Sequence, residues 1–132
     1  MTNDSRGLVL FAHGARDPRW AAPFEVVARQ LRDAAPGLAV RAAYLELMPP
    51  TLTEAVADLV AAGAAAVDIV PMFLGAGGHV RQDLPRLVDA LRATHAHVHF
   101  RLHPPIGEMP SVTRAMAEAI ATTVTTATEP PP

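Results

Sequence analysis

The chain has 132 residues, half of them apolar, a formal net charge of −2 and no cysteine. This length suits one domain with a sizeable core, and the near-neutral charge gives no reason to expect a nucleic acid or a membrane as partner. Without cysteine or lysine, disulfides, a catalytic thiol and a Schiff-base lysine are excluded, so any metal must be bound by imidazole or carboxylate.

The predicted elements alternate between short apolar runs and segments with helical apolar spacing. The runs predict four strands, at residues 7–12, 38–47, 66–73 and 97–102. The helical spacing follows each run, over residues 20–31, 52–60, 80–91 and 112–124. This order predicts an α/β fold, with a four-stranded parallel sheet covered by helices on both faces.

Local signals mark where several elements begin and end. Asp17 before Pro18 is typical of a helix N-cap, and Thr51 with Glu54 three residues later is a capping-box pattern. Pro71 is awkward within a central ladder and indicates a bulge or a strand end. The beginning of the chain lacks the apolar core of a signal peptide, and no apolar run approaches the ~20 residues that cross a bilayer. We therefore expect a cytoplasmic protein.

Three chemistry-bearing side chains follow separate predicted strands. His13 comes after the first strand, Glu46 lies at the end of the second, and His79 follows the glycine loop after the third. Ligands of such sheets bind at the carboxyl ends of the strands, near the point where the strand order reverses. Two imidazoles and a carboxylate suit cobalt, iron, zinc or nickel. The sequence thus predicts a divalent-metal site at this edge.

Each of these residues also has a simpler interpretation. His13 could be a loop histidine bonded to the backbone, and Glu46 could face solvent. His79 could merely belong to a helix start, although the helix dipole there favours the neutral imidazole that binds metals. His103, after the fourth strand, could support or gate the site. The remaining histidines begin the fourth strand at the opposite edge, and we expect them to be structural or surface residues: His95, His97 and His99.

The segment from Gly75 to Gly78 resembles a phosphate-binding loop only superficially. It lacks the lysine and hydroxyl of a P-loop and the G-x-G-x-x-G spacing, so we interpret it as a mobile lip beside a flat ligand. Arg16, Arg19 and Arg81 adjoin the two candidate histidines. They could bind carboxylates in a bidentate way, or be solvated charges at helix ends.

Several motifs together resemble the small sirohydrochlorin chelatases of the CbiX type. Residues 13–18 (HGARDP) resemble the HGSRDP opening of that family, with Ala15 where serine is common. Three further segments are similar to family motifs: Leu45-Glu46-Leu47 before Pro49 and Pro50, Pro71 to Leu74 with Gly78-His79-Val80 and Asp83-Leu84-Pro85, and Pro105-Ile106-Gly107 with Pro110. The resemblance extends from Gly7 to about Ile120.

The resemblance implies a three-layer, flavodoxin-like chelatase domain. We expect a single domain over residues 1–132, with flexible ends at 1–6 and 125–132. It implies metal handling by His13 and His79, assisted by Glu46. Longer members of the family fuse two such domains, so it also implies a homodimer for a single-domain chain. The substrates would be a tetrapyrrole and a divalent metal, Co²⁺ or Fe²⁺, without an organic cofactor.

On this hypothesis the macrocycle binds between the two histidines, which hold the metal or take pyrrole protons. Its carboxylate rim would meet Arg16 and Arg81. Its face would contact apolar and glycine positions: Leu45, Met72, Phe73, Leu74, Gly77 and Gly78. Cobalt, iron and nickel stay open, as do the cobalamin and siroheme pathways. Two rival interpretations are a carrier of metal or tetrapyrrole without turnover, and a flavodoxin-like regulatory domain without ligand chemistry.

Overall fold

Four parallel strands form one sheet, in the order β2-β1-β3-β4, in a computed structural model that describes residues 5–75 and 77–126. The strands are β1 (Arg6–Ala12), β2 (Leu38–Tyr44), β3 (Ala66–Pro71) and β4 (His99–Leu102). The helices are α1 (Ala22–Ala34), α2 (Leu52–Ala61), α3 (Gly78–Thr94) and α4 (Pro110–Thr126). This arrangement confirms the predicted α/β class and flavodoxin-like strand order.

The central strand β1 is apolar because both of its faces are covered. Val9 and Phe11 pack with α2 and α3 on one face of the sheet, while Leu8 and Leu10 pack with α1 on the other. Successive side chains of a strand point to opposite faces, so an unbroken apolar run is what a doubly covered strand requires. The strand order reverses between β1 and β3, which places the switch point at their carboxyl ends.

The two predicted helix starts have different outcomes. Thr51 and Glu54 form the full capping box, with the Thr51 Oγ1 accepting from the Glu54 N–H and the Glu54 carboxylate accepting from the Thr51 N–H. Asp17 does act as an N-cap, but of a 3-10 turn over Pro18–Ala21. The helix α1 begins only after that turn, four residues later than the Asp17-Pro18 signal predicts.

Two strands end earlier than predicted. The second strand stops at Tyr44 and not at Leu47, because Leu47 takes a left-handed conformation with φ of 70° and the Tyr44 N–H donates to the Pro50 carbonyl. Glu46 therefore lies in a bend beyond the strand. The third strand stops at Pro71 and not at Phe73, which confirms the strand-end alternative for that proline.

The fourth strand starts at His99, so His97 and His99 do not share a strand as predicted. α3 continues to Thr94, and its final turn is closed by a hydrogen bond from the His95 N–H to the Leu91 carbonyl. His97 then falls in the turn before β4. These histidines nevertheless lie at the amino edge of the sheet, away from the candidate site, as expected.

The ends of the chain are more ordered than predicted where they are described. Arg6 begins β1, and residues 125–126 belong to α4. Residues 1–4 and 127–132 lie outside the described residues, so the single-domain extent over 1–132 stays a prediction.

The last helix, α4, has no buried residue, although the sequence predicts helices that cover both faces of the sheet. Ile120 and Val124 are largely exposed. Within the described part of the chain, no helix is both long and apolar enough to cross a bilayer.

Candidate metal-handling site

His13 lies exposed at the switch point, in the loop that follows β1. Its ring packs on Phe73, with 4.6 Å between ring centroids and a tilt of 39°. Phe73 is only 4% exposed and also meets Phe11 edge-on. The segment after β3 thus supports, through Phe73, the imidazole of His13 in the segment after β1. The ring of Phe73 lies beneath His13 and also lines a pocket with residues of α3, and its predicted contact with a ligand ring stays a prediction.

Glu46 is held beside His13 through the backbone. The Glu46 N–H donates to the His13 carbonyl at 3.0 Å, and the Leu45 N–H donates to the Ala12 carbonyl at 2.8 Å. Gly14, with φ of 93°, makes this approach feasible, because a Cβ at that position would overlap the Glu46 carbonyl oxygen. The side chain of Glu46 is exposed. The two segments that follow β1 and β2 are therefore joined at the carboxyl edge.

His79 is the second residue of α3 and lines a groove between this helix and the segment after β2. The groove has a volume of about 140 Å³, and we call it the α3 groove. Of the described residues that line it, His79 and Asp83 are polar. The others are apolar: Phe11, Leu45, Val80, Leu84 and Leu87. Buried Phe11 and Leu84 form its floor, whereas Leu45 and His79 are exposed at its rim. The site therefore combines an apolar depression with an imidazole and a carboxylate.

The structure brings His13, Glu46 and His79 to the same edge of the sheet without assembling them into one ligand set. Among residues 5–75 and 77–126, no three histidine or carboxylate side chains lie close enough together to hold a metal ion. The predicted convergence on a single pocket is thus not seen within one chain. What the fold does supply is two exposed imidazoles, after β1 and after β3, on either side of the switch point.

The candidate arginines differ in their surroundings. The Arg81 guanidinium donates to the Glu108 carboxylate at 2.8 Å, which ties α3 to the loop after β4. Arg19 forms an ion pair with Asp17 at 2.8 Å. Hydrogen bonds donated by the side chain and the backbone N–H of Arg19 lower the pKa of Asp17. Arg16 is exposed in the loop between His13 and Asp17. Of the three, Arg81 and Arg19 are engaged with carboxylates of the chain itself.

The apolar and glycine positions around the edge divide into exposed and enclosed ones. Leu45 and Leu74 are 44% and 74% exposed, which leaves them available to a ligand. Met72 is partly buried against the clusters on the α1 side of the sheet, and its predicted ligand contact stays a prediction. A Cβ built at Gly77 or Gly78 would meet no atom within 4 Å. These glycines therefore border open space, consistent with room for a flat ligand.

The CbiX family model matches residues 7–123. The chain belongs to the CbiX family. A CbiX protein of cobalamin (vitamin B12) biosynthesis from Marinobacter aquaeolei VT8 has a similar structure, with a TM-score of 0.79, 33% identity, and coverage of 92% of this chain and 99% of that one.

Curated relatives carry a more specific name. The sirohydrochlorin cobaltochelatase of Saccharolobus solfataricus is 35% identical over 82 residues, which are 62% of each chain. The match thus spans less than two thirds of this relative. The sirohydrochlorin chelatase SirB of Bacillus subtilis subspecies spizizenii, solved with cobalt, has a TM-score of 0.75 at 19% identity, over 89% of this chain and 50% of that one. At this identity the similarity concerns the fold alone.

A polar network in this CbiX-family chain was not recognised from the sequence. Asp68 on β3 accepts hydrogen bonds from Arg101 at 2.7 Å and 3.2 Å, and lies 2.8 Å from the His103 Nε2. Burial opposes its negative charge, but the hydrogen bonds and charges of Arg101 and His103 prevail and lower the pKa of Asp68 to about 2. An acid inside the apolar run of β3 was the available signal. His103 thereby anchors the loop after β4 rather than facing the α3 groove with its ring.

Proposed function

We propose that this chain is a chelatase that inserts Co²⁺ or Fe²⁺ into a sirohydrochlorin-type tetrapyrrole. The observation that carries the proposal is the pair of exposed imidazoles, His13 packed on Phe73 and His79 at the start of α3, on either side of the switch point. The names of the curated relatives, sirohydrochlorin cobaltochelatases, support the substrate class.

Metal insertion replaces two pyrrole N–H protons by one divalent ion. The protein must therefore present the metal and accept or pass on protons, and a neutral imidazole can do either near neutral pH. We assign these tasks to His13 and His79, with Glu46 adding negative charge and a route for protons to solvent. A metal that is cargo must also be released, which is compatible with the absence of a complete ligand set among the described residues.

Recognition of the macrocycle would use the rim of the same edge. Arg16 and Arg81 are the cations next to the two histidines, and guanidinium groups bind carboxylates in a bidentate way. The exposed side chains of Leu45 and Leu74 offer apolar contact with the ring face. The open space beside Gly77 and Gly78 would admit a planar ligand.

We further propose a homodimer as the working form. α4 carries a stripe of apolar side chains at positions 112, 116, 120 and 124, and the last of these is 67% exposed. Spacing of four residues places them on one side of the helix, whereas Arg114 and Glu118 lie on the other. An apolar, uncharged stripe can pair with its own copy without opposing like charges. A second copy could then contribute the ligands that one chain does not assemble.

The test is an absorbance assay of sirohydrochlorin metallation, with Co²⁺ and Fe²⁺ in parallel and protein limiting. Several turnovers per chain are expected, and a single stoichiometric change would instead indicate a carrier. His13→Ala and His79→Ala should each lose most of the insertion rate while remaining folded by circular dichroism. His97→Ala, at the opposite edge, is the matched control and should keep full activity. Full activity in both site variants would remove the basis of the proposal.

The comparison of the two metals in this assay also addresses the pathway. Faster insertion of cobalt would favour a role in cobalamin synthesis, and faster insertion of iron would favour a role in siroheme synthesis. Metal preference depends on geometry and supply as much as on donor type, so the measurement is needed in addition to the donor set. The cytoplasmic location expected from the sequence stays a prediction.

A further inference from the structure

Among the described residues, Asp83 is the one acidic side chain that lines the α3 groove, and the function proposed above leaves it without a role. It stands four residues after His79 on α3, so the two side chains lie on one side of the helix with Cβ atoms roughly 5–6 Å apart. Both are exposed at the rim of the groove. An imidazole and a carboxylate one helical turn apart are thus presented together beside an apolar floor.

We propose that His79 and Asp83 form the loading site at which the divalent metal first binds, before it passes into the macrocycle. This inference rests on the proposed chelatase function and adds to it a second protein donor on α3. Imidazole nitrogen and carboxylate oxygen are donors suited to Co²⁺ and Fe²⁺. Helical residues four apart are a common way to direct two ligands at one ion.

The surroundings of Asp83 favour this assignment. Within residues 5–75 and 77–126, its carboxylate has no hydrogen bond or ion pair, whereas Asp89, further along α3, pairs with Arg92 at 2.8 Å. The groove beside Asp83 is formed mainly by apolar side chains, including Phe11 and Leu84, which are 1% and 7% exposed. Asp83 is therefore an available anion beside His79 at the rim of the α3 groove.

Two protein donors suit an ion that has to be handed on. With only two positions occupied by protein, the remaining ones stay with water and can be taken over by pyrrole nitrogens as the protons leave. Leu45, on the other wall of the groove, precedes Glu46, whose N–H is bonded to the His13 carbonyl. The loading site thus borders the segment that carries Glu46, and a backbone hydrogen bond joins this segment to the one that carries His13.

The experiment titrates the tag-free chain with Co²⁺ alone and follows binding by calorimetry and by the visible absorption of bound cobalt. Asp83→Asn should weaken Co²⁺ binding by at least ~10-fold, the loss typical even of residues that only support a metal ligand. His79→Ala should weaken it similarly, and the double variant should be little worse than either single one. Asp89→Asn, an acid on the same helix outside the groove, is the matched control and should stay within about twofold of the native affinity.

Binding by Asp83→Asn equal to that of Asp89→Asn would overturn the loading site, as would an absence of Co²⁺ binding by the native chain. Metallation of sirohydrochlorin by the same proteins separates this failure from failure of the proposed function. If His79→Ala loses turnover while Asp83→Asn binds Co²⁺ normally, only the loading site falls. If His13→Ala and His79→Ala both keep full turnover, the chelatase proposal is contradicted together with the loading site.

Discussion

The imidazole of His13 rests on the buried ring of Phe73, so one residue after β1 and one after β3 form a unit at the switch point. The aromatic support fixes where the imidazole stands without using either of its nitrogens. The orientation of His13 is therefore set by packing, and its ring nitrogens remain available for the metal or for protons.

Replacing Phe73 by leucine should reduce metallation more than it reduces stability. Leucine still fills much of the buried space, so the expected loss of unfolding free energy is only about 1–1.5 kcal/mol, but the flat support beneath His13 is gone. Urea unfolding and sirohydrochlorin turnover measured on the same protein separate the two effects. Phe100→Leu, a buried ring on β4, should lose similar stability and keep its turnover per folded chain. Equal turnover in both variants would contradict the role given to Phe73.

Asp68→Asn should destabilise the chain by about 2 kcal/mol at pH 7, since the pKa of Asp68 in the folded chain is about 2 and that of an unfolded aspartate is about 3.9. The pKa is lowered on folding, so this stabilisation is complete above about pH 4 and is lost as the pH falls towards 2. Urea unfolding at pH 7 and at about pH 3 gives the free energy of unfolding of the native chain and of Asp68→Asn. The difference between these two free energies should be smaller at the lower pH.

Asp58→Asn is the control for that measurement. Asp58 pairs with Arg41 at 2.6 Å, but its side chain is 61% exposed. Asp58→Asn should therefore lower the free energy of unfolding by less than about 1 kcal/mol. If the difference in unfolding free energy between Asp68→Asn and the native chain stays constant from neutral to acid pH, the charge of Asp68 does not stabilise the fold.

Glu108→Gln should lower the KM for the tetrapyrrole a few-fold, because it removes a carboxylate that competes with the substrate for Arg81. Arg81→Gln should raise the same KM by roughly tenfold if this guanidinium binds the carboxylate rim. Initial rates at several substrate concentrations give both values. Glu118→Gln, on the polar side of α4, is the control and should leave KM unchanged. An unchanged KM in Arg81→Gln would exclude Arg81 from substrate binding.

Ile120→Glu should convert the proposed dimer into a folded monomer, because it introduces a charge into the apolar stripe of α4. Light scattering after gel filtration gives the mass, and circular dichroism reports the fold. Thr122→Glu places the same charge on the opposite side of the helix and should remain dimeric. A native chain that elutes as a monomer at micromolar concentration, or an Ile120→Glu variant that stays dimeric, would contradict this use of α4.

Much of the architecture was predictable because its signals are local. The apolar run of β1, the capping box of Thr51 and Glu54, and the break at Pro71 each depend on residues near in sequence. The end of β2 was missed because Leu47, which looks like a strand residue, takes a left-handed conformation set by the loop. No local pattern distinguishes an apolar residue that packs inward from one that faces a ligand, so the packing of Phe73 beneath His13 was not predictable.

The candidate site was predictable as a set of residue types at strand ends, but its contacts were not. Arg81 and Glu108 are 27 positions apart, and Asp68 and His103 are 35 positions apart. Such pairs depend on the register of the sheet and on loop paths that the sequence does not display. In the sequence Asp83 is only part of a motif, and the groove beside α3 gives it a chemical setting.

The backbone hydrogen bonds from Leu45 and Glu46 to the segment after β1 make one wall of the α3 groove continuous with the sheet. On the other side, the approach to α3 is rich in glycine, and Gly77 and Gly78 have no neighbour that a side chain would disturb. We therefore expect any widening to admit a planar molecule on the α3 side. Substitutions at Gly77 and Gly78 should accordingly alter how fast a ligand enters and leaves the α3 groove.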